Sequence, residues 1–372
     1  MRRFKSALIV EYGYMRLLLF VKKNGVFTYF TEERTDYDGF YFDGFKNPDD
    51  VFYKIQQLFS AVQRYGAVEK NSIVVLPGAF FKYGVDERDV RIVSGTVTKN
   101  DVEALLASCG ARLQGYEAVG RMPLTFRTLL NPAVENPVGE KADRLRVTAS
   151  VEYLKSGIKE LFDNCARRLG KSFQFTSFGS LAAKKSEKEA HCAERTIVLL
   201  ADGNIDVVAC RGGVPVDVKS DMLGARHVCY SLAEELDCPD EVAEVIAMGA
   251  NLNLNFSPSD VYVFGRDEFS VSKVNTCMAD AFIYLGGEIR TCIDGLPSEG
   301  TPAIFLTGSK MCEVRGVREI FEDETGKDIK LLQSDVLNLE GCADYVASAI
   351  IEVFIEESVS LGDKLRSVFG GK

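Results

Sequence analysis

The chain has few of the residues on which several classes of protein depend. Among 372 residues it has no tryptophan and only two histidines, and none of its ten cysteines forms a CxxC pair. Since zinc sites are built mostly from closely spaced cysteine and histidine ligands, we expect no zinc site of standard spacing. The cysteines are scattered, many of them inside apolar runs. That pattern indicates reduced, buried thiols and a cytoplasmic protein.

Excess positive charge and long apolar runs are missing as well. The formal net charge is −10, which argues against nucleic acid as a partner because nucleic-acid binding needs a basic face. No apolar run approaches the roughly 18 residues that a membrane-spanning helix needs. The first run, residues 7–10, ends at Glu11 and is too short for the core of a signal peptide, so it predicts a strand. Composition is otherwise that of a globular protein with room for two to four domains.

Two stretches, residues 7–25 and 196–213, share one pattern. Each is an apolar strand, a short turn with glycine, a second apolar strand and a tighter turn ending in glycine. The glycines are Gly13 and Gly25 in the first stretch and Gly203 and Gly213 in the second. Without a side chain at the turn, backbone N–H groups can approach a phosphate. Either hairpin alone is also typical of an ordinary sheet corner. Together they predict a duplicated α/β fold with a nucleotide between its halves.

The rest of the chain predicts a division into five parts. They are the first part of a first lobe at 1–80, an inserted α+β module at 81–165, the second part of the first lobe with a link at 166–195, a second lobe at 196–357 whose smaller subdomain lies at about 224–300, and an amphipathic tail at 358–372. Periodicity predicts helices at 48–65, 155–169, 224–236, 239–250, 313–326 and 340–356. Residues 89–97 and 144–154 predict strands in the module, with a helix starting at 98–101 between them. We expect a polar surface link at 184–194 and an irregular segment at 251–300 containing one strand, 260–265.

Several short motifs occur in the order found in one bacterial family. They are Met-Pro-Leu at 122–124, Asn-Pro-Val-Gly at 136–139 with the strand 145–151, the second glycine hairpin, Leu-Gly-Ala-Arg-His-Val at 223–228, Phe-Leu-Thr-Gly-Ser at 305–309 and the segment 341–347. Over nearly its whole length the chain resembles FtsA, the actin-like protein that tethers FtsZ filaments to the inner membrane during division. The resemblance implies an actin-like (ribonuclease H-like) duplicated two-lobe fold with an inserted SHS2-like module. It also implies ATP with Mg in the cleft, self-assembly into filaments, FtsZ and other division proteins as partners, and a peripheral location on the cytoplasmic face of the inner membrane at the division site.

The resemblance also implies which residues would meet the nucleotide. They are Glu11, Gly13, Tyr14 and Arg16 in the first hairpin, Asp202, Gly203, Asn204 and Asp206 in the second, Gly224 after it, and Thr307, Gly308 and Ser309 on the adenine side. Both phosphate loops depart from the family pattern. The family's Asp-Ile-Gly-Thr is here Glu-Tyr-Gly-Tyr at 11–14, and Leu199 stands where an aspartate would help to place the metal. We therefore predict a degenerate cleft with weak or absent ATPase activity and no catalytic residue. The alternative, that the cleft serves only to pack the two lobes together, is left undecided by the sequence.

The C-terminal residues predict a short amphipathic helix. Leu361, Leu365, Val368 and Phe369 form one apolar stripe, with Lys364 and Arg366 supplying positive charge. Such a helix can lie on an anionic membrane surface, or it can pack on its own domain.

Two other actin-like proteins remain alternatives. PilM of type IV pilus assembly has a similar inserted module and binds a short peptide of a membrane partner, without such a tail. An ATP-dependent kinase of the same superfamily would need the intact second phosphate loop that this chain lacks.

Overall fold

The computed structural model describes residues 3–23, 26–189, 194–254, 256–297, 302–332, 347–351 and 353. The predicted amphipathic tail at 358–372 lies outside these residues, as does most of the helix predicted at 340–356. Among the helices of the described residues, none is long and apolar enough to cross a membrane.

The first lobe begins with a meander of three antiparallel strands. The elements up to the module are β1 (Arg3–Glu11), β2 (Tyr14–Lys23), β3 (Val26–Asp36), β4 (Phe40–Tyr41), β5 (Gly44–Phe45), α1 (Pro48–Ala61) and β6 (Ala67–Leu76). Strand β6 pairs in parallel with β1, as a crossover through a helix allows. Helix α1 starts where Asn47 caps the backbone N–H of Asp50 at 3.2 Å, and it buries Val51, Ile55 and Leu58 on the sheet.

The inserted module is a three-stranded antiparallel sheet with one helix. Its elements are β7 (Phe81–Arg91), α2 (Lys99–Ser108), β8 (Tyr116–Arg127) and β9 (Arg144–Lys155), and the strand order is β7-β9-β8. A capping box of Thr98 and Asp101 starts α2 as predicted. The prediction of a strand over 89–97 was wrong beyond Arg91, because the chain turns at Gly95, whose φ is +69°.

The chain then returns to the first lobe through α3 (Ser156–Leu169), β10 (Ser172–Ser177) and α4 (Phe178–Glu189). Helix α3, which we assigned to the module, buries Ile158 and Phe162 in the core of the first lobe. In its packing the module therefore ends at β9. The link predicted at 184–194 was wrong over its first half, since α4 continues to Glu189 and buries Ser186.

Helix α4 lies in a hydrophobic core shared by the two lobes. It contributes Phe178 and Leu181 to a cluster that also holds Ile9 from β1 and Ile197 from the second lobe. Gly179 allows the close approach, because a Cβ there would lie 2.6 Å from a methyl carbon of Val208. Residues 347–351 are helical and add further side chains to the same cluster.

The second lobe repeats the topology of the first. Its elements are β11 (Glu194–Leu200), β12 (Ile205–Arg211), β13 (Val214–Asp221), α5 (Arg226–Leu236), α6 (Asp240–Gly249), β14 (Val261–Phe264), β15 (Asp267–Ser270), α7 (Val271–Asp294), β16 (Ala303–Gly308), α8 (Val317–Thr325) and β17 (Ile329–Leu331). The sheet order β13-β12-β11-β16-β17 corresponds strand by strand to β3-β2-β1-β6-β10 of the first lobe. The two sheets also match in their antiparallel and parallel pairings. The predicted duplication is confirmed.

One large element of the second lobe contradicts the sequence prediction. Residues 251–300 were expected to be irregular apart from one strand, yet α7 is a helix of 24 residues. Its buried stripe includes Val274, Met278, Phe282, Leu285 and Ile289, which is the spacing of one helix face. That stripe was present in the sequence and was overlooked.

Candidate functional site between the lobes

The turns of the two glycine hairpins meet across the cleft. The hydroxyl oxygen of Tyr14 lies 2.6 Å from Oε2 of Glu11 in its own lobe and 2.7 Å from Oδ2 of Asp202 in the other lobe. Glu11 and Tyr14 are each only 2% exposed. Three of the predicted site residues are therefore together, and they contact one another directly.

Arg16, which was predicted to meet the nucleotide, instead pairs with acidic residues of the first lobe. Its Nη1 donates to Oε1 of Glu32 at 3.0 Å, and its Nε lies 3.7 Å from Oε1 of Glu11. The residue is 1% exposed. Its guanidinium group therefore contacts acidic side chains of its own lobe instead of facing a ligand.

Burial has a large effect on the protonation of Glu11. Loss of hydration, helped by the charge of Asp202, raises the pKa of Glu11 to about 8, although Arg16 and the Tyr14 hydroxyl act in the opposite direction. Burial also raises the pKa of Tyr14, which stays a neutral phenol. At neutral pH Glu11 is therefore a protonated carboxyl and Tyr14 a neutral phenol.

Asp206 forms a second bond between the lobes. Its Oδ2 accepts the backbone N–H of Gly78 at 2.7 Å, and its Oδ1 accepts the hydroxyl of Ser220 at 2.6 Å. The side chain is fully buried, and burial raises the pKa of Asp206. Each carboxylate oxygen has a protein donor, so Asp206 acts as a link between β12 and the turn after β6.

Protein atoms fill the space that the hairpin glycines leave. A Cβ at Gly203 would lie 2.2 Å from Cβ of Tyr12, and one at Gly13 would lie 3.3 Å from a guanidinium nitrogen of Arg226. The nearby Asn204 is buried. Each of these glycines therefore admits a side chain of the opposite lobe.

The two remaining glycines of the site pack against backbone. A Cβ at Gly224 would lie 2.4 Å from the carbonyl oxygen of Ala201. The N–H groups of Ala225 and Arg226 donate to the carbonyls of Ala201 and Asp202 at 2.8 and 2.9 Å. These N–H groups at the start of α5, which could otherwise face an anion, are used inside the lobe.

The predicted adenine-side turn lies beside the second hairpin, at the end of β16. A Cβ at Gly308 would lie 2.4 Å from the carbonyl oxygen of Leu200, which also accepts the N–H of Ser309 at 2.7 Å. Thr307 and Ser309 are buried. This turn contacts the end of β11, one residue before the loop that contains Asp202.

The contacts in the cleft determine whether a nucleoside triphosphate fits there. The space at each glycine is taken by protein, Arg16 is paired inside its lobe, and the groups that meet across the cleft are two carboxyls and a phenol. The acidic side chain of Asp202 at this turn disfavours a phosphate placed beside it. In this arrangement of the lobes the site does not fit ATP with Mg.

Three residues that define the cleft were not among the predicted site residues. Tyr12 covers Gly203, Gly78 donates to Asp206, and Arg226 approaches Gly13. Tyr12 and Arg226 stood within the quoted motifs, and Gly78 follows a proline at the end of a buried strand. No local pattern shows that these positions meet, because their partners are more than 120 residues away in the chain.

Another buried carboxyl lies where the module joins the first lobe. Oε1 of Glu152 accepts the N–H of Ser177 at 3.0 Å, the hydroxyl of Ser180 at 2.8 Å and the hydroxyl of Tyr83 at 3.0 Å. Burial raises the pKa of Glu152. This network joins β7 and β9 of the module to the start of α4.

An open groove of about 700 Å³ lies beside this junction. It is lined by Ile73, Ala118, Val119, Gly120, Arg121, Met122, Lys159, Asp163, Phe173, Gln174, Phe175, Thr176, Leu181 and Val353. Most of these residues belong to β8 of the module and β10 of the first lobe. The groove is therefore formed by two strands from different sheets.

We expect nucleotide to bind weakly if at all. Isothermal titration of the protein with ATP and Mg should give a Kd above about 1 mM, equivalent to less than about 4 kcal/mol of binding free energy, because binding requires Tyr12 and Tyr14 to leave the cleft. A Kd near 1 μM would show that the closed cleft opens readily and would overturn this expectation.

Comparison with solved structures places the fold among the actin-like proteins. No protein-family model matches the chain, and no curated protein matches it in sequence. A chain of the PilM–PilN type IV pilus biogenesis complex matches with a TM-score of 0.54 and 14% identity over 98% of both chains. MreB5 of Spiroplasma citri bound to AMPPNP matches with a TM-score of 0.52 and 12% identity over 97% of this chain and 99% of the other. The MamK double helical filament matches with a TM-score of 0.50 and 12% identity over 94% of this chain and 99% of the other. These proteins share the architecture at low identity, and the chain described here has the actin-like two-lobe α/β fold.

Proposed function

We propose that this protein is an actin-fold scaffold that binds an extended peptide segment of a membrane-associated partner, without nucleotide turnover. The single observation on which this rests is the groove between β8 and β10. The filled nucleotide cleft supports the second half of the proposal, since a scaffold works by binding and needs no hydrolysis.

The groove has the backbone chemistry that an extended peptide requires. Among the described strands, β8 pairs only with β9, and β10 pairs only with β6. Each strand therefore has one edge whose N–H and C=O groups are not used in a ladder. A peptide strand placed between them can hydrogen-bond to either edge, which is a common mode of peptide recognition.

The side chains of the groove indicate the composition of the peptide. Apolar contacts come from Val119 and Met122 on one side and Phe173 and Phe175 on the other. The exposed Arg121 lies on the same stretch of β8. We therefore expect a segment with alternate apolar residues and at least one acidic residue near Arg121.

The structural comparison supports a complex-forming role. The PilM–PilN structure contains a partner bound to an actin-fold protein, and it matches 98% of this chain, including the module. The groove is built by that module and the first lobe. We infer that a PilM-like role would use this groove.

Peptide binding is testable with one substitution in the groove. Met122→Asp places a charge beside the apolar wall at a half-buried residue that belongs to none of the hydrophobic clusters. The measurement is fluorescence anisotropy with labelled peptides from the cytoplasmic segments of single-span membrane proteins of the same organism. We expect Met122→Asp to weaken the best peptide at least about tenfold, which corresponds to 1.4 kcal/mol.

The matched control is Val93→Asp in the module. Val93 is 94% exposed and outside the groove, so the same charge there should leave the affinity unchanged. Equal losses in both variants, or no loss in Met122→Asp, would show that the peptide binds elsewhere. Failure of every peptide to bind wild-type protein would overturn the proposal.

The tail supports a second candidate, an FtsA-like tether. Its apolar stripe from Leu361 to Phe369, flanked by Lys364 and Arg366, fits an anionic membrane surface. In this role the protein would polymerise, bind FtsZ and sit at the cytoplasmic face of the inner membrane at the division site. Co-sedimentation of the full chain and of residues 1–357 with anionic liposomes, with and without FtsZ, separates the two candidates. The tether is favoured if FtsZ pellets with liposomes in the presence of the full chain but not of residues 1–357. The peptide-binding scaffold is favoured if neither form binds lipid.

A further inference from the structure

The contact between Glu11, Tyr14 and Asp202 has a proton requirement that follows from its geometry. The phenol oxygen lies 2.6 and 2.7 Å from one carboxyl oxygen of each acid, so both contacts are hydrogen bonds by distance. A phenol has one proton and can donate to only one of them. The other contact needs a second proton, carried by one of the two carboxyl groups.

Glu11 is the carboxyl better placed to hold that proton. It is 2% exposed, whereas Asp202 is partly exposed and keeps access to water. Loss of hydration favours the neutral form of a buried acid. With Glu11 protonated, its O–H donates to the Tyr14 oxygen, and the Tyr14 O–H donates to Asp202.

We propose that this proton-dependent chain of hydrogen bonds from Glu11 through Tyr14 to Asp202 holds the two lobes closed, in the cleft for which the sequence predicted a nucleotide. Tyr14 belongs to the first lobe and Asp202 to the second, so the last bond of the chain crosses the cleft. When Glu11 loses its proton, one phenolic proton remains for two carboxylates, and a contact between lone pairs replaces a hydrogen bond. The lobes then separate at these turns.

The groups around Glu11 determine the direction of the pH effect. Those that face it are Tyr14 and Arg16 from β2, Arg34 from β3, Tyr37 after β3 and Asp202 from the second lobe, with Arg226 of α5 beside Tyr14 and Asp202. The arginines favour the ionised form, but burial and Asp202 outweigh them and raise the pKa of Glu11 to about 8. In the unfolded chain the pKa of Glu11 is near its ordinary value of 4.5. The stabilisation from its proton is therefore complete below about pH 4.5 and is lost as pH rises through about 8.

The test is amide hydrogen exchange of the two hairpin turns, measured by mass spectrometry on the full chain at about pH 6 and about pH 9. Protection factors, corrected for intrinsic exchange, are compared for peptides covering residues 11–16 and 200–206. In wild-type protein we expect both turns to lose protection at least about tenfold at the higher pH. In Glu11→Gln, whose amide stays neutral, protection should change less than about twofold.

Two tyrosine variants distinguish loss of the hydrogen-bond chain across the cleft from a general loss of protection in the first lobe. Tyr14→Phe removes the bridging hydroxyl, so both turns should be poorly protected at either pH. Tyr37→Phe is the matched control, because its hydroxyl donates to the backbone carbonyl of Glu11 at 2.8 Å within the first lobe, and it should keep the wild-type pH dependence. Wild-type protection that is independent of pH, or a pH dependence retained in Glu11→Gln, would overturn the proposal. If Glu11→Gln fails to fold, the comparison of Tyr14→Phe with Tyr37→Phe still decides, and equal protection in those two would reject it.

Discussion

Replacing Gly308 with alanine is expected to lower the free energy of unfolding by about 3–5 kcal/mol. The residue has a φ of +120°, and an added Cβ would lie 2.4 Å from the carbonyl oxygen of Leu200. That oxygen accepts the N–H of Ser309 at 2.7 Å and belongs to the end of a central strand, so it cannot move away. Backbone strain and steric overlap therefore add. The measurement is thermal or urea unfolding of the full chain.

Gly326→Ala is the control that separates these two causes. Gly326 also has a positive φ, +65°, but an added Cβ would meet nothing within 4 Å. Alanine there should cost only about 1 kcal/mol, the conformational part alone. A loss at Gly308 no larger than the loss at Gly326 would mean that the turn after β16 moves freely, against the close packing described above.

Glu152→Ala is expected to cost about 3 kcal/mol and to loosen the module from the first lobe. The substitution removes the acceptor of three donors, the Ser177 N–H and the hydroxyls of Ser180 and Tyr83. Glu152 is only 3% exposed, so water does not readily replace it. Because this network lies beside the groove, peptide binding should weaken in the same variant.

Glu152→Gln should retain most of the stability. Burial raises the pKa of Glu152, which brings the native group closer to a neutral carboxyl, and the amide oxygen of glutamine accepts the same hydrogen bonds. Glu117→Ala is the surface control, since that side chain is 52% exposed and lies 3.3 Å from Lys159; it should change stability by less than about 1 kcal/mol. Equal losses in the alanine and glutamine variants would show that the network needs the carboxyl group itself, and that an acceptor of the same shape does not replace it.

Local patterns were sufficient for much of the fold. The two glycine hairpins predicted the repeated β1–β2 and β11–β12 units, and Thr98 with Asp101 predicted the start of α2. Such signals depend on residues within about four positions of one another, where periodicity and capping act. The resemblance added the order of the parts, and the structure confirmed a duplicated two-lobe fold.

The misread segments show where local patterns are insufficient. The polar residues of α4 after Ala183 suggested an exposed link, yet Lys185 is 7% exposed and its Nζ donates to Ser348 at 3.1 Å. A lysine in a sequence is predicted to be exposed, because burying its charge requires a partner, and only the tertiary structure shows whether one is present. The long helix α7 is a different case, because its buried stripe has the spacing of one helix face and local pattern alone was sufficient to predict it.

The sequence by itself determined the two-lobe architecture, the inserted module and the departure of both phosphate loops from the family pattern, because each depends on residue types at short spacing. Only the tertiary structure decided what those departures do. Tyr14 meets Asp202 from 188 residues away, and Gly78 meets Asp206 from 128 residues away. Whether a tyrosine in a phosphate loop blocks the cleft, leaves it or joins its two sides depends on how the lobes pack. Here packing places the phenol between two carboxyl groups, and the cleft is closed by the protein's own side chains.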